Sequence, residues 1–220
     1  MQNSMKKLLL PALLLAALLS ACATTDTASK QALLRAAGEG QTATVRTLLD
    51  QGASPKVSNE YGWTPLMHAA KDGHTDTVRL LLDRGAKPNA TTVAGGTALM
   101  GAAINGHTDT ARLLLDRGAN VNAANKYGWT ALMNAASGGH TDFARFLIER
   151  GANIHATTKM GWTPLMRAAE KGHTDTVRLL IEKGADINAT DKKGATALDL
   201  AQAKGHTAIV QMLRAAGARE

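Results

Sequence analysis

The 220-residue chain has a single cysteine, Cys22, so no disulfide can close within it. Its aromatic content is small: three Trp, two Tyr and two Phe. The helices must therefore build their core mostly without rings. The longest apolar run, Leu8 to Leu19, is 12 residues and is interrupted by Pro11. A membrane-spanning helix needs roughly 20 apolar residues, so this run is too short to span. Also missing are a nucleophile beside a base, paired carboxylates in an irregular loop and a phosphate-cradling glycine loop. Every candidate acid, base and His belongs to a column of equivalent positions. Catalysis needs one asymmetric constellation, so no catalytic residue is assigned and an enzyme is not expected.

The first 22 residues read as an export leader. Lys6 and Lys7 form a basic segment ahead of the apolar run. The run closes Leu19-Ser20-Ala21-Cys22, which resembles the bacterial lipoprotein signal. That resemblance implies cleavage before Cys22 and a lipid on its thiol, leaving no free thiol in an oxidising compartment. An ordinary signal with an incidental cysteine is the alternative. By the same analogy, Ala23 argues against inner-membrane retention. The expected place is the bacterial cell envelope, as an outer-membrane lipoprotein facing the periplasm. Residues 1–21 are thus expected to be signal and 22–29 the lipidated Cys and a polar tether. The seven residues Ala23 to Ser29 reach at most about 23 Å, and 30–220 form the folded domain.

Formal charge is +7; without the two leader lysines, 23 basic and 18 acidic residues give +5. Nucleic acid is the common partner of a basic chain, but an exported protein has little access to it. An acidic protein patch or anionic lipid headgroups are the more sensible partners.

One phrase recurs. Thr64, Thr97, Thr130, Thr163 and Thr196 each open a segment like Thr64-Pro65-Leu66-Met67-His68-Ala69-Ala70. Gly-His follows at Gly73-His74, Gly106-His107, Gly139-His140, Gly172-His173 and Gly205-His206, always 33 residues apart. Within one unit Thr64 suits a helix N-cap and Pro65 the first helical position. Leu66, Ala69 and Ala70 share one face. Gly73 ends that helix, and Thr75 or Asp76 begins a second whose apolar face is Val78, Leu81 and Leu82, with Leu80 adding to it. Lys87 to Gly96 reads as a projecting turn. Neither helix is long enough to persist alone, so each unit relies on its neighbours. The end units are more polar: Gln31 replaces Thr, Gln41 replaces His, and Asp199 and Gln202 replace Met and Ala.

Thr-Pro-Leu-x-x-Ala-Ala, Gly-His, Val-x-x-Leu-Leu and Gly-Ala-x-x-Asn at this period resemble the ankyrin repeat, over about residues 30 to 217. The resemblance implies an all-α ankyrin-repeat solenoid of about six helix-turn-helix units (31–63, 64–96, 97–129, 130–162, 163–195 and 196–220). It further implies projecting β-turn fingers and a concave face that binds proteins. Met67, Met100, Met133 and Met166 depart from the family, which usually places His there. The hydrogen bond such a His makes within its turn is expected to be lost.

Repeated columns argue against cofactors. Packed helices lie about 8–10 Å apart, so equivalent His or Met residues of successive units cannot share one ion at bonding distance. No metal and no cofactor are expected. The His column reads as structural, the Met column as packing between helices, and the Arg79, Arg112, Arg145 and Arg178 column as i,i+3 partners of Asp76, Asp109, Asp142 and Asp175.

Five of the seven aromatics fall in the expected fingers: Tyr61, Trp63, Tyr127, Trp129 and Trp162. Gly96 and Ala195 hold the Trp column elsewhere, so stacking does not demand an indole there. The residue after each Met varies freely, as His68, Gly101, Asn134 and Arg167. These features nominate Tyr61, Trp63, His68, Tyr127, Trp129, Asn134, Trp162 and Arg167 as partner-binding, with Trp129 and Trp162 marking the middle of the array. Packing of each Trp on its neighbouring finger is the competing reading. Lys126, Lys159, Lys192 and Lys193 make the later fingers basic. The expected function is a monomeric, lipid-anchored module that grips one envelope protein, an enzyme or a toxin, to protect or inhibit it. A passive envelope scaffold is the alternative.

Overall fold

The computed structural model describes residues 27–219. The leader, Cys22 and the start of the tether lie outside the described residues. Twelve α-helices occur among the described residues, with no strand. Helix α1 covers 27–38 and begins inside the stretch assigned to the tether. The rest are α2 (Thr42–Asp50), α3 (Pro65–Lys71), α4 (Thr75–Asp83), α5 (Ala98–Ile104), α6 (Thr108–Asp116), α7 (Ala131–Gly138), α8 (Thr141–Glu149), α9 (Pro164–Lys171), α10 (Thr174–Glu182), α11 (Ala197–Ala203) and α12 (Thr207–Ala215). From α3 onward each odd-numbered helix packs on the even one that follows. Odd helices also stack on odd and even on even, giving two helical layers.

Helix starts follow the sequence logic. The Thr64 hydroxyl accepts from the Met67 N–H at 3.2 Å, and Thr97, Thr130, Thr163 and Thr196 cap their helices in the same way. The methionines correct one expectation. The Thr64 N–H donates to Met67 Sδ at 3.5 Å and the Thr163 N–H to Met166 Sδ at 3.4 Å. A thioether is a weak acceptor, yet it closes the reciprocal capping box in those two units. In the last unit the Asp199 carboxylate does so, accepting from the Thr196 N–H at 2.8 Å.

The core runs lengthwise through the stack. Leu66, Met67, Ala69 and Ala70 and their equivalents are buried at every inner unit, and the alanines let the odd helices approach closely. In α4, Val78 and Leu81 are fully buried and Leu80 nearly so, whereas Leu82 is only partly covered. Full burial of one such leucine contributes about 1.5–3 kcal/mol.

Polar ladders tie unit to unit. Thr42, Thr75 and Thr141 pair through their hydroxyls with Thr77, Thr110 and Thr176, at 2.6, 2.8 and 2.8 Å. Thr77, Thr110 and Thr176 are buried, so these bonds satisfy hydroxyls that water cannot reach. The Arg column also differs from expectation. No ion pair joins Asp76 to Arg79 or their equivalents among the described residues. Asp50, Asp83 and Asp116, at helix C-termini, instead accept from Arg84, Arg117 and Arg150 of the next unit at 2.6, 2.6 and 3.0 Å. Arg112 and Arg150 both lie over the Phe146 ring, at 4.9 and 4.8 Å.

Each finger is a tight turn closed by its own side chain. Asn59 Oδ1 accepts from the N–H groups of Tyr61 and Trp63, and Asn125 Oδ1 from those of Tyr127 and Trp129. Neighbouring fingers are linked by single backbone bonds. The Val93 N–H donates to the Tyr61 carbonyl, Lys126 to Ala94, Lys159 to Tyr127 and Lys192 to Met160, all at 2.9–3.0 Å. Gly62 is required here twice over. Its φ is +79°, and a Cβ would lie 2.9 Å from both Thr92 Cα and Val93 N.

Candidate protein-binding face

The fingers and the odd helices form one face, and the nominated residues lie on it in different states. Tyr61 and Tyr127 stand at finger tips, each 63% exposed. Trp63, Trp129 and Trp162 are half-buried, as are His68, Asn134 and Arg167 on the odd helices. Each Trp lies five residues before its helix partner, which brings finger and helix side chains together.

In the second unit the Trp63 and His68 rings are 5.2 Å apart, tilted by 39°. Burial pushes the His68 imidazole below its ordinary value of 6.5; Asp72 opposes that shift and Lys71 adds to it. In the fifth unit the Arg167 guanidinium sits between two indoles, 4.3 Å from the Trp129 ring and 4.0 Å from Trp162. Its Nη1 donates to Glu170 Oε2 at 3.2 Å. Trp129, Trp162 and Arg167 therefore pack on one another across adjacent units. Asn134 Nδ2 donates to the Met100 carbonyl at 3.1 Å.

Where the second unit meets the third, neither member of such a pair is present. Gly96 occupies the Trp column and Gly101 the helix column. A cavity of about 400 Å³ opens there, walled by Trp63, Met67, Ile104, Tyr127, Trp129 and Asn134. Its walls are mostly apolar. Four nominated residues, Trp63, Tyr127, Trp129 and Asn134, thus surround one space. Tyr61, His68, Trp162 and Arg167 lie outside it. Sequence reasoning missed Met67, Ile104 and the cavity itself. The available signal was the paired loss of side chains at Gly96 and Gly101.

The His column is engaged within the stack. Nε2–H of His74, His140, His173 and His206 donates to the carbonyls of Gly38, Ile104, Ser137 and Glu170 at 2.8–3.0 Å. In the remaining unit the Lys71 carbonyl accepts from Asn105 Nδ2. In the other direction, a Cβ on Gly40 would lie 2.5 Å from His74 Nδ1, so the ring also packs directly against that turn.

Stacked helix pairs joined by linked fingers, with aromatic side chains gathered on one face, define a repeat module for protein recognition. The family model described as ankyrin repeats (3 copies) matches residues 4–92, 90–158 and 151–219. The chain belongs to the ankyrin repeat family, whose repeats indicate a protein–protein interaction module and are typically not enzymes. No curated protein matches the chain.

Proposed function

We propose that this protein is a lipid-anchored periplasmic module that grips a partner protein through its fingers and concave face, protecting or inhibiting it. The observation that carries the reading is the gathering of exposed Tyr127, half-buried Trp63 and Trp129 and an open apolar cavity on one face. Aromatic residues around a desolvated pocket are what tight protein contacts use. Lys126, Lys159, Lys192 and Lys193 are exposed on the later fingers and none has an ion pair among the described residues, which favours an acidic partner surface. The basic leader and the Leu19-Ser20-Ala21-Cys22 sequence support a lipid on Cys22 and an outer-membrane position. An envelope enzyme or a toxin acting in the envelope fits that place. The protein itself acts as a monomer without cofactors.

A photo-crosslinking amino acid at Tyr127, in intact envelopes, tests this. A discrete protein adduct is expected at Tyr127 and none at Arg79, which is exposed on α4 in the other helical layer. No adduct, or equal adducts at both places, favours a passive scaffold and overturns the reading.

A further inference from the structure

We propose that the gap left by Gly96 and Gly101 is an anchor pocket for one bulky apolar side chain of the partner, followed by an acidic stretch lying along the later fingers. This rests on the protein-binding reading above and adds the register. At the flanking junctions the equivalent positions carry Trp63 with His68 and Trp129 with Asn134. At the junction of the second and third units both are absent, and the cavity of about 400 Å³ lies there. An aromatic side chain buries about 150–250 Å², a match for a slot walled by two indoles and the Tyr127 ring.

Neither glycine is held by a left-handed backbone, although a Cβ on Gly96 would come within 3.1 Å of Thr92 Oγ1. Both are missing from the positive-φ glycines. Gly101 lies inside α5, where glycine costs about 0.5–1 kcal/mol relative to alanine. A Cβ there would meet only Lys71, at 3.4–3.6 Å, an ordinary contact. A local rule broken without structural need is a mark of a functional position. Exposed apolar groups also gather at this site: Ile104, Tyr127 and, on the intervening finger, Val93.

Charge sets the direction. Lys126 stands between Asn125 and Tyr127, which line the cavity, and Lys159, Lys192 and Lys193 continue the exposed row toward the C-terminus. On the opposite side the equivalent finger position is Glu60. An acidic stretch is therefore attracted along the later fingers and repelled on the earlier side.

Selection of a displayed random-peptide library against the whole protein tests the proposal. Enriched peptides are expected to share one aromatic or large aliphatic residue with acids to one side of it. Gly96→Trp, which fills the gap with the residue its neighbours carry, is expected to weaken those peptides at least tenfold while keeping the melting temperature. Gly101→Ala is expected to keep or raise the melting temperature. Lys126→Glu is expected to weaken binding severalfold and to flatten its salt dependence. Peptides that bind the folded Gly96→Trp variant as well as the parent overturn the pocket but leave the protein-binding reading standing. Failure to enrich any peptide counts against both. A concentration-dependent dimer abolished by Gly96→Trp would make a second copy the occupant and overturn the proposal.

Discussion

Replacing Arg167 by alanine is expected to destabilise the middle of the stack by about 1 kcal/mol, the excess of two cation–π contacts over the desolvation cost of its buried Nε. The guanidinium lies 4.3 and 4.0 Å from two ring centroids. A cation–π contact contributes about 0.5–1 kcal/mol when exposed and about 2 when desolvated. The Arg167 side chain is only 20% exposed, so each contact falls between those limits. Truncation also leaves Glu170, 16% exposed, with only Lys171 at 3.8 Å. One term opposes these. Arg167 Nε is buried without a hydrogen bond, and deleting it removes a desolvation cost of about 1–3 kcal/mol. Urea unfolding followed by tryptophan emission measures the balance, because two of the three indoles flank the substituted residue. Arg167→Met separates charge from contact area and should fall between the parent and Arg167→Ala. Arg167→Lys keeps the charge but loses the flat stack, so it should also fall between them. A methionine variant as stable as the parent would show that the indoles need only an apolar filler, and the cation–π account would fail.

Four further outcomes are expected. His173→Ala, which removes the bond to the Ser137 carbonyl, should lower the unfolding free energy by about 1 kcal/mol, whereas an unchanged stability would mean that turn is held by packing alone. Arg117→Ala should cost at most about 0.5 kcal/mol, since its pair with Asp83 is 37% and 51% exposed; a loss several times larger would contradict the solvent-screened reading of the ladder. Burial depresses the His68 pKa below 6.5, so the unfolded chain binds more protons just below that pH. Stability from this group is then complete above pH 6.5 and declines as pH falls toward the folded-state pKa. His68→Asn should flatten that part of a pH–stability curve, and an equal slope in both proteins would rule His68 out. Cys22→Ser should move the protein from the membrane fraction to the soluble one, and unchanged membrane retention would sink the lipid anchor.

The helices were legible because their signals are local. Thr64 caps a group three residues away, and Leu66, Ala69 and Ala70 share a face through the helix period alone. The fingers were legible as turns for the same reason. The Asp76–Arg79 pairing is not found among the described residues; the stack's ladder joins Asp83 to Arg117 instead, 34 residues apart, a spacing that no helix-period argument considers. The lost hydrogen bond at Met67 was wrong in part because a sulfur positioned by burial can still accept. Trp129 and Trp162 were recognisable as unusual. Nothing in the chain order, however, puts both indoles on Arg167 rather than on a partner.

The amino-acid sequence determined the period, the helix pairs, their caps and hence the stacked architecture, because each follows from residues within a few positions of one another repeated at constant spacing. Only the tertiary structure decided which columns meet: threonine with threonine, imidazole with the preceding turn, arginine between two indoles. It alone turned two separate glycines into one cavity. The physical reason is that side chains touch according to the rise and rotation between units, and that displacement exists only once the units have packed.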